Sequence, residues 1–150
     1  MKTVAKYDDS TWHSGGEFPA DKPARNGGTH IALFLRWCML RGLVAERHRS
    51  KPAAQLAASG GASAVDYLFD ECDGCILPED LSARGNRFAQ SYYRALYDHD
   101  WVDVYDMPLY GDEQDHDFFL LVARLDQRLL EADCGRLPAL KRRRRFWRRD

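Results

Sequence analysis

The chain has 150 residues, of which 45% are hydrophobic and 30% charged; this fits one globular domain and excludes a wholly disordered protein. The net charge of −1 conceals a split, because residues 1–140 carry 22 acids against 15 bases while residues 141–150 carry seven bases against one acid. An acidic body with a basic tail results, so the near-neutral total describes neither part.

The opening residues are polar and charged and contain no apolar stretch of a secretory signal. Apolar runs such as Ile31 to Leu35 are far too short to span a bilayer. Four cysteines in that setting point to reduced thiols and a cytoplasmic location.

From Tyr7 to Gly28 the chain is rich in Gly, Pro, Asp and Ser and reads as an irregular segment wrapped over the domain, with Tyr7, Trp12 and Phe18 as its anchors. Thr29 has the chemistry of an N-cap, and the apolar stretch after it ends at Gly42, a plausible C-terminal stop. Because that stretch is apolar nearly all round, it is expected to be a central helix covered on several sides. A short helix is expected from Pro52 to Ala58, stopped by Gly60 and Gly61, and another capped by Ser63 and ending near Gly74. From Ser82, the positions Phe88, Tyr92 and Leu96 recur every four residues, and Ala89, Tyr93 and Tyr97 repeat the step one place on, which predicts one broad buried face of a helix. Pro108 and Gly111 mark a loop. A last helix is expected from about Asp117 to Asp133, with Phe118, Leu121, Val122, Leu125 and Leu129 as its buried stripe and Asp115 and Asp117 complementing its dipole. No strand-like alternation of useful length is evident. The reading is a mainly α, single domain over residues 1–140 with about five helices, followed by a basic tail over 141–150.

The strongest local anomaly lies between Asp98 and Asp117. Asp98, Asp100, Asp103, Asp106, Asp112, Glu113, Asp115 and Asp117 occur there without a lysine or arginine, interleaved with Trp101, Tyr105 and Tyr110. Like charges so close repel one another, and a cationic partner would offset that repulsion. Large aromatics among carboxylates have the composition of an anchor inside a polar rim. The partner-binding residues expected on this ground are Asp98, Asp100, Trp101, Asp103, Tyr105, Asp106, Asp112, Glu113 and Asp115. A solvated acidic face is the bland alternative. A calcium loop is disfavoured because the twelve-residue pattern with its central Gly is missing.

Other motifs are weaker. Cys72 and Cys75 form a lone CxxC without the second ligand pair a zinc site needs. The five histidines have no metalloprotease spacing, although His99 and His116 sit among carboxylates expected to raise their pKa. No cofactor, no metal ligand set and no catalytic residue is assigned. The Arg-rich tail, with Phe146 and Trp147, offers the one route to nucleic acid, or it folds back on the acidic stretch.

Two segments carry a resemblance. Tyr7, Asp8, Asp9, Trp12, His13, Gly16, Phe18 and Pro19 lead into Gly28, Thr29, His30, Ile31, Trp37 and Cys38; Gly85, Asn86, Phe88, Ala89, Tyr92 and Tyr93 follow later. This pattern resembles a family of small bacterial proteins that look like immunity proteins of polymorphic-toxin systems, acting through type VI secretion or contact. The resemblance implies a non-enzymatic protein that binds a cognate toxin, here a basic protein such as a nuclease, inside the producing cell. The alternatives are a small enzyme using His13 or His30 with Asp8 or Asp9, and a nucleic-acid adaptor acting through the tail.

Overall fold

The computed structural model describes residues 5–15 and 18–139; the expectations for the tail at 141–150 lie outside the described residues. The chain is mainly α. Its helices are α1 (Thr29–Leu40), α2 (Glu46–Arg49, a single turn), α3 (Pro52–Ser59), α4 (Ala64–Cys72), α5 (Ala83–Tyr92), α6 (Asp98–Tyr105) and α7 (Phe118–Asp133). A π turn, Tyr93–Tyr97, joins α5 directly to α6.

Helix α1 is the axis of the molecule, as its sequence requires. Ile31, Ala32, Leu33, Phe34, Leu35, Trp37 and Cys38 are all buried, and α3, α4 and α7 pack around them. Gly42 follows in the left-handed conformation that favours glycine. Thr29 differs from its expected role. It is the first residue of α1 rather than its cap, and its Oγ1 donates to the Gly111 carbonyl, tying the helix start to the loop before α7. Ser63 caps α4 as expected, and Ser82 and Asp117 also cap α5 and α7, each accepting a hydrogen bond from a first-turn amide.

The N-terminal segment is less irregular than its composition suggests. Asp8–Asp9 (β1) pairs antiparallel with Cys75–Ile76 (β2), with Asp8 opposite Ile76. Tyr7 is a core residue, and its hydroxyl donates to Asn86 Oδ1 at 2.6 Å. Trp12 is not an anchor; it is 55% exposed, with the Arg94 guanidinium over its ring. Phe18 packs edge-on against Tyr110. A second short pairing joins Val44 to Leu81. There Gly85 lets the start of α5 approach so closely that a Cβ would collide with the Leu43 carbonyl oxygen. Among the described residues no helix is long and apolar enough to cross a membrane.

Candidate functional site

Two sets of residues deserve the question of function: the acidic segment and a buried Asp–His cluster behind it.

The acidic segment is largely consumed within the fold. Trp101 has no exposed surface. Its ring lies against Tyr105 and His116, each 4.8 Å away, and Nε1 donates to the Pro108 carbonyl. The expectation of a surface anchor fails for Trp101 because the four-residue step through Ala89, Tyr93 and Tyr97 continues to it, on the face turned to the core. Asp100 is also buried, not displayed. It accepts hydrogen bonds from Tyr92 Oη (2.7 Å), Arg124 Nη1 (2.7 Å) and Arg128 Nε and Nη2 (2.8 and 2.9 Å). Burial alone would raise its pKa; the bonds from Arg128, Tyr92 and Arg124 outweigh it and hold the carboxyl below the usual range. Asp103 is exposed and shares Arg124. The cations missing from the segment are therefore supplied by α7, where Arg124 and Arg128 stand one turn apart.

The remaining acids divide. Asp112 accepts from Asn26 Nδ2 at 2.6 Å. Glu113 sits on the N-terminus of α4, accepting from Ser63 Oγ, Ala64 N and Val65 N, where the unpaired amides favour a carboxylate. Asp98 is half-buried, and desolvation raises its pKa. Tyr105 is half-buried, with its hydroxyl donating to the Asp117 carbonyl at 2.8 Å. Asp106, in the left-handed position that ends α6, is exposed, as are Asp115 and Asp117. Those three have no basic partner among the described residues. His116 runs against expectation: burial lowers its pKa and outweighs the opposing bond to the Asp112 carbonyl and the nearby charges of Asp115 and Asp112.

At the start of α7 the same edge exposes apolar surface. Phe119 is 66% and Leu120 52% exposed. Leu120 lines a shallow cleft with Val104, Ala123, Arg124 and Gln127, so the cleft runs between α6 and α7.

The second set is built by three separate elements. Asp8 comes from β1, His13 from the turn after it, and His30 from the first turn of α1. Asp8 Oδ1 accepts from its neighbour's amide, Asp9 N, at 2.8 Å and lies 2.7 Å from His13 Nε2; Oδ2 lies 3.1 Å from His30 Nε2 and accepts from Tyr93 Oη at 2.7 Å. The π turn carries Tyr93 to Asp8 and Tyr97 to the His30 carbonyl, which accepts its hydroxyl at 2.6 Å; such turns recur at functional sites. Burial would raise the Asp8 pKa, but the bonds and charges of His13 and His30 hold it well below the usual range. Both His30 and Asp8 are buried, while the His13 side chain keeps 19% of its surface. His30 Nδ1 is buried and has no hydrogen-bond partner among the described residues. Sequence reasoning singled out Asp8, His13 and His30 as a possible couple but did not expect both imidazoles on one carboxylate.

A third cluster was not anticipated at all. His48 Nε2 lies 2.8 Å from Asp80 Oδ1 and 3.9 Å from Cys72 Sγ, and His48 Nδ1 meets the Tyr67 hydroxyl. Burial pushes the Cys72 thiol up to about 12, with the Asp80 charge adding to it, so this cysteine is an inert core group rather than half of a reactive CxxC.

Residues 6–119 match the family model described as a domain of unknown function, DUF7832, and the chain belongs to that family. No curated protein and no solved structure matches the chain.

Proposed function

We propose that this member of the DUF7832 family is a cytoplasmic immunity protein that binds and occludes a cognate basic toxin, with the edge formed by α6 and the start of α7 as its binding face. The observation that carries the reading is the exposed pair Phe119 and Leu120, which follow the exposed acids Asp115 and Asp117 directly in the chain. Apolar side chains that large, exposed on an acidic segment, have the make-up of a binding patch: anchors that lose water on contact, inside a charged rim. The charge of the rim specifies a basic partner and speeds its encounter. The anchors are thus Phe119 and Leu120, with Asp103, Asp106, Asp115 and Tyr105 around them; Trp101 and Asp100 support the face from beneath by holding α6 against α7.

The test is co-purification with the toxin encoded by the adjacent gene, followed by titration of the toxin's activity. A stoichiometric, one-to-one block supports the proposal. A toxin that stays fully active in the presence of excess protein contradicts it.

A further inference from the structure

We infer that Asp8, His13 and His30 form a binding site for a divalent transition-metal ion, with the Asp8 carboxylate and the Nε2 atoms of both histidines as ligands. The inference rests on Asp8, His13 and His30, none of which belongs to α6 or α7, and is independent of the toxin-binding proposal.

A carboxylate taken out of water needs a compensating cation. Asp100 has Arg124 and Arg128, and Asp80 has Arg47 and His48. Asp8 is buried as deeply, yet among the described residues no lysine or arginine reaches it. Its partners are two imidazoles, a phenol and an amide, none of which carries a fixed positive charge. Its compensation comes only from the ionisable imidazoles of His13 and His30, and a divalent ion held between them would take over that role without their protons.

Donor atoms of the three residues all lie within 4.8 Å of one another, and each imidazole faces its own carboxylate oxygen, at 2.7 and 3.1 Å. An ion held at about 2.0–2.2 Å from each donor spans donor pairs roughly 3 Å apart, so little movement is needed. Two histidines and one carboxylate are also a recognised ligand set for such ions, one that leaves positions for water or a small ligand.

Tyr93 Oη and the Asp9 amide each donate to one oxygen of Asp8 and leave the sides facing the imidazoles available, the kind of support that orients a metal-binding carboxylate. On His30, no partner at Nδ1 pins the tautomer. The ring can carry its proton there and turn a lone pair on Nε2 toward the ion.

The His48–Cys72–Asp80 cluster has a similar inventory but fails these criteria. Arg47 already neutralises Asp80.

The experiment uses the full chain, stripped with a chelator and titrated with Zn2+ and separately with Co2+. Binding is followed by calorimetry and metal content, with circular dichroism as the fold check. The expected result is one equivalent bound. His13→Ala and Asp8→Asn should abolish it, Tyr93→Phe should weaken it about 10–100-fold, and Cys72→Ser and Cys134→Ser should leave it unchanged. Failure of the folded wild type to take up either ion overturns the inference. So does uptake that survives His13→Ala, a change near the surface that the fold should tolerate, or uptake that disappears with Cys134→Ser. If His13→Ala or Asp8→Asn does not fold, the wild-type titration and Tyr93→Phe decide: undiminished affinity in Tyr93→Phe counts against the site.

Discussion

Replacing Asp100 by alanine separates a structural role from a binding role at a residue whose sequence setting suggests the latter. The carboxylate is buried and accepts from Tyr92, Arg124 and Arg128. Removing one member of a buried ion pair costs about 3–5 kcal/mol. Two features of this site lower the figure. Arg124 and Arg128 keep 23% and 15% of their side-chain surface, and each has a second carboxylate, Asp103 and Glu131 respectively. The guanidinium groups are therefore not stranded, and a loss of about 2–4 kcal/mol is expected once solvent screening is allowed for. At about 2–4 °C per kcal/mol for a chain of this size, the melting temperature falls by roughly 5–15 °C. Urea denaturation of Asp100→Ala beside wild type measures it directly. The pH dependence has a definite sign. The folded pKa of Asp100 lies below its unfolded value of about 3.9, so its contribution is present above that value and is lost as pH falls through the folded pKa. The gap between Asp100→Asn and wild type should narrow on acidification through that range. A loss below about 1 kcal/mol at neutral pH, smaller than the range for breaking a buried pair, would refute the reasoning and return Asp100 to the binding surface.

Three further outcomes follow from the same structure. Trp101→Ala should destabilise by about 3–5 kcal/mol through the cavity it leaves, whereas a surface anchor would cost almost nothing in the free protein; equilibrium denaturation distinguishes the two. Gly85→Ala should cost at least about 1–3 kcal/mol, because the new methyl meets the Leu43 carbonyl oxygen and must push the start of α5 away from the Val44–Leu81 pairing; thermal unfolding reads it. Loss of one equivalent of Zn2+ in His13→Ala, measured by calorimetry, is the corresponding outcome for the Asp8 cluster.

The helices were legible where local chemistry alone decides them. The stretch from Ile31 to Leu40 is apolar nearly all round, with Arg36 the exception, and is central; Ser63 announces its cap; and the stripe through Phe118, Leu121, Val122 and Leu125 is buried as its period requires, while Leu129 is only half-buried. Trp101 was misplaced although its signal was present. The step of four that marks Ala89, Tyr93 and Tyr97 as core runs on to Trp101, and the surrounding carboxylates obscured it. Asp100 shows a different limit. Its cations lie 24 and 28 residues further along the chain, on a helix whose docking local sequence does not specify. The Asp8 cluster goes further, since its members are separated by 22 and 85 residues and meet only through the β1–β2 pairing and the π turn. Nothing in the residues Tyr93 to Tyr97 signals that turn.

The most direct test of the binding face compares the toxin affinity of wild type with that of Phe119→Ala and of the charge reversals Asp106→Lys and Asp115→Lys. These side chains are exposed, so the folded state should survive each change. Phe119→Ala should weaken binding by about 2 kcal/mol or more, some 30-fold, and the reversals should slow association and reduce its salt dependence. Unchanged affinity in all three variants, with toxin still bound one-to-one, would place the interface elsewhere on the molecule and contradict the account.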